Sequence, residues 1–158
     1  MAGVKIVTAR ICRDIMRLCF LMERRFAPYD KWLGTAFTRL ACAPRVSPCL
    51  DTVLLGTAWP IMEESLAVLY KTMAELHNAL GVTGPLDPAP RDHFGRPYAV
   101  IRAERFANAL LRLVESPALR RVTVRMGGID QFIDCTDYID SVRMYGPTRR
   151  LYEETGEG

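Results

Sequence analysis

The stretch PIMEESLAVLYKTMAELHNALG, residues 60–81, decides how the rest of the chain is read. Met62, Leu66, Leu69, Met73, Leu76 and Leu80 recur at steps of four and three. That spacing places the six side chains along one face of an α-helix. Pro60 suits the first turn, where a missing N–H costs nothing, and Gly81 suits a left-handed cap after the last turn. A helix with such a seam must bury it, so its neighbours are expected to be helices with apolar stripes of their own.

The preceding residues supply them. Over residues 4–26, Ile11, Cys12, Ile15, Leu18, Cys19, Met22 and Phe26 fall on one broad stripe, and Arg10, Arg13, Arg17 and Arg24 form a ridge on the other side. Pro28 is expected to end this helix, because the residue before a proline is pushed out of the α region. Asp30 is expected to cap a second helix reaching about Leu40. Pro44 and Pro48 are expected to break the chain before a third helix over 49–55, which stops near Gly56. The fragments LGTAF (33–37) and LGTAW (55–59) share no flanking sequence and indicate no repeat.

Beyond Gly81, VTGPLDPAPRDHFGRPY (82–98) carries four prolines and two glycines and predicts one long loop. Residues 98–101 predict a short extended piece. A helix over 103–115 would turn Phe106, Leu110, Leu113 and Val114 inward, and Ser116 with Pro117 would open another short one. IDQFIDCTDYIDS (129–141) predicts a last helix with Ile129, Phe132, Ile133 and Ile139 inward. The expected class is all-α, an irregular bundle of about six helices, with a single domain over 1–145 and a frayed, disordered tail over 146–158.

At 158 residues the chain is long enough to bury roughly 70% of its unfolded surface around one core. Hydrophobic residues make up 49% and charged residues 25%, an ordinary globular mixture rather than a disordered one. An excess of 21 basic over 18 acidic residues is too small to argue for nucleic acid or an anionic membrane. Five cysteines, odd in number and without C-x-x-C spacing, read as a reduced, cytosolic chain. Cys12 and Cys19 share a helix face with Ile, Leu and Met, where packing explains them better than a metal.

Most catalytic signatures are absent from the sequence: there is no Walker or dinucleotide glycine loop, no H-E-x-x-H and no G-x-S-x-G. Three groups remain as candidates. Arg13 and Arg17 on the ridge could contact phosphates, since guanidinium groups match phosphate oxygens bidentately, or could form a solvated face. Asp130, Asp134 and Asp137 share a face and could hold a divalent ion, pair with arginines or favour their own helix N-terminus. In APYDKWLGTAF (27–37), Lys31 adds a point charge, Tyr29 and Trp32 offer rings for stacking, and helix amides attract anions. The bland reading of that segment makes Trp32 a core anchor and Gly34 a place of close helix approach. His77 reads as a residue that finishes the central helix, with ligand binding as the alternative.

RDIMRLCFLMERRFAPYDKWLGTAF (13–37), AELHNALGVTGPLDP (74–88), AERFANAL (103–110) and IDQFIDCTD (129–137) together resemble a bacterial family of unknown function. In that family a helical domain follows a nucleotidyltransferase-like domain. The resemblance implies a helical companion that closes one side of a nucleotide cleft and contributes to nucleotide or acceptor binding, with Arg24, Tyr29, Lys31 and Trp32 at its lip. In related aminoglycoside-modifying nucleotidyltransferases a Gly-Ser and a D-x-D pair hold magnesium. This sequence has neither, and no α/β half precedes Arg10. It is therefore not expected to transfer a nucleotidyl group by itself, since no carboxylate pair is available to carry the metal. Nucleotide and Mg²⁺ would enter with a catalytic partner domain or chain. A homodimer or a non-catalytic interaction bundle is the alternative assignment.

Overall fold

The computed structural model of the chain describes residues 2–93, 96–121, 138 and 141–153. The architecture is all-α apart from one two-stranded antiparallel sheet among the described residues. In chain order the elements are α1 (Ala2–Met22), α2 (Asp30–Phe37), α3 (Ala43–Leu55), α4 (Trp59–Ala79), β1 (Arg91–His93), β2 (Arg96–Val100), α5 (Glu104–Leu111), α6 (Pro117–Arg121) and α7 (Val142–Glu153). The chain forms two compact units, Met1–Ala109 and Leu110–Gly158, and the division falls inside α5. A single domain through residue 145 was the expectation from sequence.

In the first unit α1 packs on α2, α3 and α4, and α3 packs on α4. The seam of α4 delivers Met62, Leu66, Leu69 and Met73 to the interior, while Leu80, past the last full turn, is exposed. Cys12, Ile15, Cys19 and Phe20 come from α1, Leu33 and Phe37 from α2, and Val46, Leu50 and Val53 from α3. The simple pattern misplaces three residues: Leu18 and Phe26 of the stripe are exposed, and Phe20, outside it, is buried. The core is met by a stripe about one residue wider than a strict seam, because α1 faces three neighbours rather than one.

α1 stops four residues before its expected end, and proline is not the reason. Arg24 takes a left-handed conformation at φ 54°. Its N–H donates to Leu21 O at 3.0 Å, and the Arg25 N–H donates to Phe20 O at 2.9 Å. This pair of bonds is a Schellman cap built on arginine instead of glycine. The left-handed region costs a side-chain-bearing residue about 1–2 kcal/mol. Arg24→Gly is therefore expected to stabilise the protein by about 0.5–1 kcal/mol, seen as a rise of roughly 2–3 °C in a thermal melt. A fall would mean that the arginine side chain contributes more than its backbone costs.

The prolines of α3 mark its start rather than a break. Pro44 occupies the first turn, where no amide is needed, and Pro48 lies inside the helix, where its missing N–H leaves only one carbonyl without its usual partner. Gly81 sits at φ 63° after α4, as its position predicts. The segment expected to be one long loop contains the β1–β2 hairpin, with Arg91 opposite Val100, Asp92 opposite Ala99 and a bulge between Asp92 and His93. Only two residues separate the strands, and the second is Gly95, a hairpin signal that the surrounding prolines mask. Asn78 pins the approach to the hairpin: its Oδ1 accepts the Leu86 N–H at 3.0 Å and its Nδ2 donates to Leu86 O at 2.7 Å.

In the second unit the Ser116 Oγ accepts the Leu119 N–H at 3.5 Å, which opens α6 as its cap. The helix expected over 129–141, with Asp130, Asp134 and Asp137, lies largely outside the described residues, as do those three carboxylates. Where a frayed tail is expected from residue 146, α7 instead runs to Glu153. Pro147 falls early enough in α7 to remove one hydrogen bond only, and Arg149, Arg150 and Leu151 are good helix formers.

Candidate functional site

The segment between α1 and α2 combines backbone that has left the helix with side chains that have no place in the core. α2 is anchored from below by Leu33 and Phe37, one turn apart and both buried. With those two facing inward, helix geometry turns Lys31 and Trp32 away from them, while Tyr29 precedes the helix as its extended N-cap residue. Trp32 is 52% exposed and Tyr29 45%, so Trp32 is no core anchor. The indole Nε1–H donates to the Tyr29 hydroxyl at 3.0 Å, and the Lys31 ammonium sits 5.9 Å from the indole centroid. Phe26 projects from the same connection with its ring in solvent. Gly34 meets nothing where a Cβ would stand, so it mediates no close helix approach.

Asp30 does not cap α2. The N-cap is Tyr29, and no side chain bonds the first-turn amides. The Asp30 carboxylate instead accepts from Arg17 at 3.3 Å and lies 3.8 Å from an Arg13 nitrogen, while Arg13 also reaches Asp14 at 3.4 Å. The two arginines are only 15% and 18% exposed, so water weakens these pairs less than ordinary surface ones. Here the ridge acts as a strap from α1 to α2, which fixes the direction of the aromatic segment. Arg10 and Arg24 are exposed.

His77 belongs to another neighbourhood. It is buried in the last turn of α4, its Nε2 lies 2.9 Å from the Thr83 hydroxyl, and the ring of Phe106 meets it edge-on at 5.0 Å. Thr83 in turn donates to Gly84 O at 2.9 Å, so the Thr83 oxygen accepts from the imidazole. His77 joins α4 to the chain after Gly81 and to α5.

A cleft of about 270 Å³ opens between α1, α4 and the turn before α3. Met22, Leu76 and Leu80 form its apolar floor, and Glu23, Cys42 and Arg45 bring polar groups to it. The Glu23 carboxylate accepts the N–H of Cys42 at 2.9 Å and of Ala41 at 3.1 Å. Burial alone would raise its pKa, but these bonds, the Cys42 thiol and the nearby Arg25 together hold it below the ordinary carboxylate value. Arg45 is paired with Glu75 on α4. No sequence pattern announces this cleft, because Glu23 meets its amides 18 and 19 residues away along the chain.

Because its folded-state pKa is depressed, Glu23 contributes stability that is full above its unfolded value of about 4.3 and disappears as pH falls through the folded value. Glu23→Gln is expected to lower stability by about 1–3 kcal/mol at neutral pH, since an amide accepts these N–H groups less strongly than a carboxylate. It should also flatten the loss of stability below pH ~4.3, measured by urea denaturation at neutral and acid pH. An unchanged acid limb would remove Glu23 from this role.

Part of the chain is similar to a known protein family. Residues 1–33 match the family model described as Domain of unknown function (DUF4037). The DUF4037 similarity spans α1, the Arg13 and Arg17 strap, the Arg24 cap and the aromatic segment through Leu33. No curated protein and no solved structure matches the chain. No described helix is long and apolar enough to cross a membrane.

Proposed function

We propose that the first unit is a binding domain, a helical companion to a nucleotidyltransferase-like domain or chain, and that the Tyr29–Trp32–Lys31 surface receives a flat, anionic ligand such as a nucleotide. The observation that carries this reading is a half-exposed indole braced by a hydrogen bond and flanked by an ammonium group. An exposed tryptophan costs solubility and returns nothing to the core, whereas a stacked base and a neutralised phosphate both gain from this pair. The sequence resemblance to helical companions of nucleotidyltransferase-like domains supports the same direction. Nucleotidyl transfer itself needs the carboxylates and metal of a separate catalytic domain.

Titration calorimetry with ATP and Mg²⁺ tests the reading. Weak, saturable binding is expected, reduced about tenfold or more by Trp32→Ala, in line with the 1–3 kcal/mol that a base–aromatic stack contributes. Absence of heat at millimolar nucleotide, or binding indifferent to Trp32→Ala and Lys31→Ala, would reject it. A second reading, a protein-interaction module, draws on Phe26 and Leu21, which are exposed by 102% and 71% on the same connection and on the end of α1. Light scattering separates the two, because the interaction module predicts self-association or capture of a partner that Phe26→Ser abolishes while nucleotide binding persists.

A further inference from the structure

The positive charge of the chain is concentrated in one place. Residues 10–32 carry six basic residues against three acidic ones, an excess of three that equals the excess of the whole chain, so the remainder is neutral on balance. The three carboxylates of this stretch are engaged: Asp14 lies 3.4 Å from Arg13, Asp30 accepts from Arg17, and Glu23 accepts the amide N–H groups of Ala41 and Cys42. At the end of α1, Leu21, Arg24, Arg25 and Phe26 are all exposed, and no other residue shields Phe26. Arg24 holds the left-handed position of the helix cap, where glycine would fit without steric cost, and so keeps a cation at this end against a backbone penalty. Exposed apolar residues elsewhere in the same unit lack such company: Ile61 is followed by Glu63 and Glu64.

We propose that this end of α1, through Leu21, Arg24, Arg25 and Phe26, docks the first unit peripherally on a bilayer surface that contains anionic phospholipid. Two contributions combine at such a surface: apolar side chains enter the boundary between headgroups and acyl chains, and cations are drawn to the negative surface potential. Leu21 and Phe26 supply the first. Arg24 and Arg25 supply the second, since an arginine stem lies along the apolar layer while its guanidinium stays among the phosphates. A bilayer fits these residues better than a protein partner does. Anchors of protein interfaces sit within a packed surround that excludes water, whereas the Phe26 ring protrudes beside two arginines with nothing packed against it, and lipid deforms around such a ring. The proposal does not depend on nucleotide binding at Trp32.

Co-sedimentation of the full chain with vesicles tests it, with equal parts phosphatidylcholine and phosphatidylserine compared against phosphatidylcholine alone, in the absence of nucleotide. Binding is expected to the anionic vesicles only, and it should fall as salt is raised. Phe26→Ser should weaken it about tenfold and Arg25→Gln about fivefold, while Ile61→Ser leaves it unchanged. Arg24→Gly separates affinity from folding: it should raise the melting temperature and still lose about fivefold in vesicle affinity, a combination that misfolding does not produce. Equal binding to neutral vesicles, binding to neither, or full affinity in Phe26→Ser or Arg24→Gly would each overturn the proposal. Self-association of the vesicle-free chain that Phe26→Ser abolishes, without binding to anionic vesicles, would also overturn it and assign the surface to a second copy of the chain. Nucleotide binding is read in a separate titration, so either proposal can fail while the other stands.

Discussion

Phe37→Ala is expected to destabilise the first unit by about 3–5 kcal/mol, the range for removing a large aromatic side chain from a packed interior. Phe37 is 2% exposed and is among the largest fully enclosed side chains of the core. The consequence reaches beyond stability. α2 has eight residues, below the roughly 12–15 at which an isolated helix becomes even marginally stable, so it exists because Leu33 and Phe37 hold it down. Losing one anchor should also release Tyr29, Lys31 and Trp32 from their common orientation. Urea denaturation monitors the first effect, and hydrogen exchange of the α2 amides monitors the second. Phe37→Leu, which keeps most of the apolar filling, should cost much less, and a Phe37→Ala loss below about 1 kcal/mol would mean that the site collapses around the gap.

Among the described glycines, Gly56→Ala is expected to be the most damaging methyl addition, at about 1–3 kcal/mol or somewhat more. A Cβ at Gly56 would stand 2.6 Å from the Thr52 carbonyl oxygen and 2.7 Å from Met62 Cγ. The first is backbone of α3, and the second belongs to a side chain with no exposed surface, so neither yields easily. The backbone there, at φ −58° and ψ 143°, is open to any residue, which makes the effect one of space and not of torsion. Gly34 provides the contrast from the twin fragment LGTAF. It lies inside α2 with nothing within 4 Å of its missing Cβ, so Gly34→Ala should stabilise by about 1 kcal/mol through helix propensity. Two thermal melts decide the pair, and shifts of the same sign would contradict the packing described at one of them.

The two glycines show where sequence reading reaches its limit. Both follow a leucine and precede Thr-Ala, and their local sequences carry the same message; what surrounds them in space differs. The seam of α4 was legible because a periodic pattern over twenty residues leaves few alternatives, and its Gly81 cap follows from one residue type at one place. The end of α1 was not legible, since an arginine occupies the left-handed position that glycine usually marks. Pro44 and Pro48 signal a break by their chemistry, yet a helix tolerates both when they fall in or near its first turns. At the candidate site, residue types suggested aromatic and cationic contacts, but whether Trp32 faced core or solvent depended on Leu33 and Phe37 being the better anchors. The Asp30 cap was overridden by two arginines from another helix, a tertiary competition with no local trace. The cleft arises from long-range packing, with Glu23 meeting the amides of Ala41 and Cys42 far along the chain.

Binding of a flat anionic ligand against the exposed indole of Trp32 would be read in the fluorescence of that indole. The chain has two tryptophans, so Trp59→Phe leaves Trp32 as the single emitter. Titration of that variant with ATP and Mg²⁺ should quench its emission saturably, with Lys31→Ala shifting the curve to higher nucleotide concentration. Emission that stays constant to millimolar nucleotide, while the protein remains folded, would contradict the account.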